Sequence, residues 1–160
     1  MVTVADLLVA AIDTTSNSLS FAILYMIKYP EVQRRVQAEL DGVLVGTRPT
    51  VFDRPNLPYT EATMWEVLRI SNVLPVLVRT SSYDTNVGGY AVKEVTCHFI
   101  NLIQILQGSF KQGVFGVLNI YKMHMNPVIW GDPHNFRPER FLDSNGKVIR
   151  DHGVMAFGGR

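Results

Sequence analysis

The pattern of apolar and polar positions divides the chain before any motif is considered. Between Val2 and Tyr29, the residues Leu7, Leu8, Ala11, Leu19, Ala22, Ile23 and Met26 recur at helical spacing, which predicts one long helix. Its middle is polar: Asp13, Thr14, Thr15, Ser16, Asn17 and Ser18 stand where a buried helix would stay apolar. Hydroxyls there can bond the carbonyls of the preceding turn and bend the helix. Two readings of that block stand side by side. It is either the solvated face of an amphipathic helix, or an acid beside a hydroxyl placed to relay protons.

The first helix should stop at Tyr29, because Pro30 disfavours helix at the residue before it. Pro30 suits the first turn of a second helix, with Glu31 at its positive end. Val32, Val36, Leu40 and Val43 form its inner stripe and Gln33, Arg34, Arg35, Gln37 and Glu39 point outward, up to the stop signals Gly42 and Gly46. Pro49, Pro55 and Pro58 mark a turn-rich connection with one helical turn near Val51–Arg54. A third helix is expected from Tyr59 to Ser71, with Ala62, Trp65, Val67 and Leu68 on its apolar side. Beyond it, Val73, Leu74, Val76, Leu77 and Val78 read as a strand broken by Pro75. Tyr83–Asn86 reads as a turn, and Val87, Tyr90, Ala91 and Val92 as a second short strand. In the last third, Asn126-Pro127, Gly131-Asp132-Pro133 and Arg137-Pro138 punctuate a long irregular segment anchored by Trp130, Phe136 and Phe141. The fold class is mainly α with a small β-sheet.

Composition narrows the functions. With 160 residues and 47% hydrophobic positions, the chain is one domain's worth and can bury a core. A net charge of +1 gives no reason to expect nucleic acid as a partner. The single cysteine, Cys97, allows no internal disulfide and no multi-cysteine metal site. No secretory signal is visible at the start. The Leu7–Ile27 stretch is long enough for a bilayer span, yet Asp13 and its polar neighbours argue against a lone transmembrane helix.

Glu66 and Arg69 lie three residues apart on the third helix, on one face. Such a pair is commonly a weak surface bridge. Here Met64, Trp65, Val67, Leu68 and Ile70 surround it, which favours burial, and a buried guanidinium needs further acceptors. Arg79 ends the first strand, either exposed or reaching an anionic group.

Taken together, Ala10-Ala11-Ile12-Asp13-Thr14-Thr15 in a long helix, Glu66-x-x-Arg69, Asp84-Thr85 with Gly89-Tyr90, Trp130-Gly131-Asp132-Pro133, Pro138-Glu139-Arg140-Phe141 and a Phe157-Gly158 loop, in that order, resemble the C-terminal half of a cytochrome P450 of the microsomal, eukaryotic type. The resemblance implies a partial cytochrome P450 fold over 1–160. Asp13 and Thr14 match the acid–alcohol pair that delivers protons during oxygen activation. Ala10 and Ala11 match the small residues that let the helix pass over the haem, although the family usually has glycine where Ala11 stands. Glu66, Arg69 and Arg140 match a buried charged triad. Leu74, Val76, Leu77 and Val78 match a segment lining the substrate pocket, and Arg79 a partner for a haem propionate.

The resemblance also implies haem b with its iron, an apolar small-molecule substrate, O2, and a flavoprotein reductase as electron donor. Residence is expected at the endoplasmic reticulum membrane, on its cytosolic face, through an anchor that this chain does not contain. The reaction implied is a haem-thiolate monooxygenase inserting one oxygen atom from O2 into an apolar organic substrate. The family's iron ligand follows a Phe-x-x-Gly-x-Arg-x-Cys pattern, and the chain stops at Arg160, where the pattern has glycine. The cysteine ligand is therefore expected beyond Arg160, Cys97 is not that ligand, and the N-terminal half of the fold is expected upstream.

The segment 95–112 has no counterpart in the family pattern and reads as a retained intron or a genuine surface insertion. Two other functions compete. One is a catalytically dead, haem-free remnant acting as a binding or decoy module. The other is an unrelated membrane-associated helical protein.

Overall fold

The computed structural model describes residues 2–81, 83–87, 89–92, 115–149 and 153–156. The segment 95–112 and the residues from Phe157 onward lie outside the described residues, as does the side chain of Arg79. Helix α1 runs Val2–Lys28 without a break through its polar centre. Its hydroxyls turn back on the helix itself: Thr14 donates to the Ala10 carbonyl at 2.7 Å, Ser18 to Thr14 and Ser20 to Ser16, each at 2.8 Å. Helix α2 follows at once, Pro30–Leu44, with proline in its first turn. A 3-10 helix, Val51–Asn56, is held at its start by Asp53, which accepts from the Thr50 amide at 2.7 Å.

Helix α3, Pro58–Ser71, is the element on which the others converge. Its buried positions are Tyr59, Ala62, Thr63, Glu66, Val67 and Arg69. One cluster joins Val32 of α2, Tyr59 and Val67 of α3, and Phe136, with Tyr25, Met26 and Tyr29 packed against it. Phe136 stacks on Tyr25 at 4.7 Å and on Tyr29 at 5.1 Å. A second cluster joins Ala62, Trp130 and Phe141. Burying a phenylalanine fully, as Phe141 is, stabilises by about 2–3 kcal/mol.

Two small antiparallel sheets flank this body. Strand β1, Val76–Thr80, pairs with β4, Phe115–Asn119, with Val78 opposite Val117. Strands β2, Thr85–Val87, and β3, Tyr90–Val92, form a hairpin. The expectation of a turn over Tyr83–Asn86 is corrected here: Thr85 and Asn86 are strand residues, and the Asn86 side chain accepts from the Gly89 amide at 2.9 Å.

The last third is more regular than its punctuation suggests. Helix α4, Ile120–His124, helix α5, Pro127–Trp130, and a 3-10 helix, Pro138–Phe141, interrupt the expected coil. Asn119 and Asn126 start α4 and α5 by accepting amide bonds two or three residues on.

Three assignments on α2 also change, one inward and two outward. Val43 is exposed rather than packed. Arg35 lies over the Tyr59 ring, 3.9 Å from its centroid, and pairs with Glu139. Glu39 reaches the first turn of α3, where it accepts from the amides of Tyr59 at 2.8 Å and Thr60 at 2.7 Å. No residue of α3 caps its own start, so a carboxylate from the neighbouring helix takes that place, where the helix dipole favours it.

Candidate active site

The charged centre is built on α3. The i,i+3 spacing places Glu66 and Arg69 side by side, and both side chains are 0% exposed. Arg69 donates through Nε at 2.7 Å and a terminal nitrogen at 2.9 Å to the two Glu66 oxygens. Its other terminal nitrogen donates to the His124 carbonyl at 2.8 Å. Arg140 donates to Glu66 at 3.1 Å, and the Arg137 amide does so at 2.9 Å. The remaining donors of Arg140 reach the carbonyls of Trp130, Asp132 and Asn135 and the Asp132 carboxylate. Trp130 lies beside both guanidiniums, 5.1 Å from Arg69 and 5.9 Å from Arg140. Every strong donor thus meets an acceptor, the condition under which buried charge is tolerable.

His124 joins this network without having been singled out by sequence. It is 1% exposed. Its Nδ1 lies 3.0 Å from the Asn72 side-chain oxygen, and its Nε2 accepts from the Met155 amide at 3.0 Å. Burial, and then the Arg69 charge, push its pKa down to about 4. The available signal was weak, a histidine in a short run between Ile120 and Met125. At the other end of α3, burial and then the Glu139 carboxylate push the Tyr59 phenol up to about 12.

Facing α3 across open space is a groove of about 660 Å³. Thr14, Thr15, Ser18 and Leu19 of α1 form one wall. Val67, Leu68 and Ser71 of α3, with Leu74, His124 and Ala156, form the other. Ser71 Oγ is buried with no hydrogen-bond partner among the described residues. The structure therefore brings Thr14 and Leu74 to one cavity. Asp13 is exposed on α1, beside Ala10 and Ala11, which are also exposed. Val76 is exposed and Leu77 and Val78 are half-buried on β1.

Haem is what the resemblance implies, and two small, exposed positions on α1 are compatible with it. Small side chains at Ala10 and Ala11 leave the α1 surface open to a flat ring. Among the described residues, no group of three or more His, Cys, Asp or Glu is placed to hold a metal.

Comparison with known proteins meets this geometry. The cytochrome P450 family model matches residues 1–109 and 105–159. The chain is 35% identical to cytochrome P450 1A2 of Macaca fuscata fuscata over 160 residues, 97% of this chain and 28% of the relative. It is 33% identical to cytochrome P450 2U1 of Bos taurus, covering 97% of this chain and 26% of that protein. It is 36% identical to cytochrome P450 1A1 of Pleuronectes platessa, covering 97% and 27%. With its helical body, small antiparallel sheets and buried glutamate–arginine centre, the chain belongs to the cytochrome P450 family. It spans little more than a quarter of the length of these relatives.

Proposed function

We propose that this chain is part of a haem-thiolate monooxygenase that inserts one oxygen atom from O2 into an apolar organic substrate. The observation that carries the reading is the groove: Thr14, from the polar centre of α1, and Leu74, from the run leading into β1, line the same cavity. A hydroxyl beside an acid then faces the space where an apolar molecule would lie.

Haem iron held by a cysteine thiolate supplies, when bound, the electron density that favours splitting the O–O bond. The chain's own residues have distinct roles around it. Ala10 and Ala11 allow close approach of the ring. Thr14 holds a proton at Oγ1, at present donated to the Ala10 carbonyl, and Asp13 one residue earlier exchanges it with solvent. Leu74, Val76, Leu77 and Val78 exclude water and orient the substrate. Arg79 supplies a cation for a propionate carboxylate. The buried triad of Glu66, Arg69 and Arg140 fixes α3 against the C-terminal segment, so that these walls keep one spacing.

The thiolate ligand comes from beyond Arg160. A flavoprotein reductase delivers electrons, and the complete protein sits on the cytosolic face of the endoplasmic reticulum membrane. Helix α1 has the length and apolarity of a span over Val4–Lys28, but its C-terminal part is committed to α2, α3 and Phe136, which supports a core helix instead. The segment 95–112 is a retained intron in this reading. The family match divides into two stretches meeting at 105–109, inside that segment, which supports an interruption there.

The test is the full transcript, sequenced across 93–114 and past Arg160, followed by expression of its product. The expected result is loss of 95–112, a cysteine soon after Arg160, and the thiolate-type absorbance shift with carbon monoxide. A transcript that ends as written, with a product that takes up no haem, overturns the reading in favour of a haem-free binding module.

A further inference from the structure

His124 is bonded in a way that plain burial does not require. A backbone amide can only donate, so the Met155 N–H at 3.0 Å makes Nε2 the acceptor and leaves the ring proton on Nδ1. That proton points at the Asn72 oxygen, 3.0 Å away. Asn72 is oriented for this role. Its amide nitrogen donates to the Arg69 carbonyl at 2.9 Å, which turns the side-chain oxygen toward the imidazole. Asn72 is also the left-handed residue that ends α3, with φ 44° and ψ 47°. The His124 carbonyl closes the ring by accepting from Arg69. One imidazole thus ties the end of the charged centre to Met155, and the next residue, Ala156, is part of the groove wall.

We propose that His124 is a positioning residue, held as the neutral Nδ1–H tautomer, that seats residues 153–156 on the wall of the Thr14 groove. The inference deepens the oxygenase reading and rests on it only for what the groove does. Protonation of Nε2 would set an N–H against the Met155 N–H and release the segment. The groups facing the ring are consistent with neutrality. Arg69 is the α3 charge that acts on the ring, and it is itself bonded to Glu66. Residues 153–156 and the facing Thr14, Thr15 and Ser18 are not ionisable. The low pKa of the ring agrees with this arrangement.

The experiment uses the 160-residue chain, at neutral pH and without haem. Ring nitrogen shifts of His124 report the tautomer in the unaltered protein, and hydrogen exchange reports the Met155 amide. Expected are an unprotonated Nε2, exchange at Met155 faster by roughly tenfold in His124→Phe with α3 amides unchanged, and protection largely restored in His124→Gln, whose amide oxygen can accept. A proton on Nε2 overturns the proposal, and so does unchanged exchange at Met155 in His124→Phe. Acceleration spread equally over α3 also overturns it, because His124 would then be filling the core rather than seating one segment. Haem plays no part in these readings, so failure of the oxygenase assignment would appear in the carbon monoxide spectrum with the Met155 amide still protected.

Discussion

Two polar regions of this molecule, both embedded in apolar sequence, end up in opposite conditions. Around α3, Glu66 and Arg69 are completely buried, and the guanidinium nitrogens of Arg69 and Arg140 meet acceptors on α3 itself or on other elements. Along the first half of α1, Asp13 and Thr14 are exposed, and the Thr14 hydroxyl donates back to its own preceding turn. A structural charge must be satisfied within the fold, since burial without partners costs several kcal/mol. A group that handles protons gains from the reverse, with capacity left for substrate and water. The contrast separates a centre that holds the fold from a surface that would work on something bound beside it.

The sharpest way to break the contrast is to treat the α3 centre as if it were surface. Replacing Glu66 with Gln leaves two guanidiniums buried around a neutral amide, and denaturant unfolding should show a loss of about 3–5 kcal/mol. A loss under 1 kcal/mol would mean that water reaches the centre.

Acid sharpens the comparison next. His124 titrates near 4 when folded and near 6.5 when unfolded. The unfolded chain therefore binds the extra proton first as pH falls. Its contribution to stability is full above about 6.5, is lost at roughly 1.4 kcal/mol per pH unit on the way down, and levels off below about 4. Unfolding measured across that window should lose this slope in His124→Gln.

A smaller effect is expected at the start of α3. Removing the carboxylate in Glu39→Ala leaves the amides of Tyr59 and Thr60 without their acceptor and should cost about 1 kcal/mol in the same assay. The smallest belongs to α1. Thr14→Val removes one exposed hydroxyl and should change stability by less than about 0.5 kcal/mol. In the complete protein the same change should lower substrate oxidation per electron consumed, so a Thr14 variant with full yield would remove the proton-handling role.

Much of the fold was legible in the sequence. The three long helices follow from apolar spacing and, between the first two, from Pro30; α3 begins at Pro58, one residue before the expected start. The α3 pair could be read because i,i+3 spacing sets one face, and its apolar neighbours pointed to burial. Other features were not legible, because their partners are remote. Glu39 looked like one more outward acid of α2 until α3 placed its bare amides against it. Nothing within a few residues of His124 announces Asn72 or Met155, which come from far along the chain in each direction. The short helix α5 was hidden by the proline and glycine that bound it, and α4 by its length of only five residues.

By itself, then, the sequence determined roughly where the three long helices begin and stop, which face of each is mainly apolar, and, through the order of its motifs, the family. These are local properties, set by backbone sterics and side-chain periodicity. The tertiary structure alone decided which remote groups satisfy the buried charges, which carboxylate caps which helix, which nitrogen of His124 carries the proton, and that Thr14 and Leu74 share a cavity. Those outcomes depend on atoms brought within about 3 Å across long stretches of chain, where hydrogen bonding and desolvation act and sequence spacing carries no information.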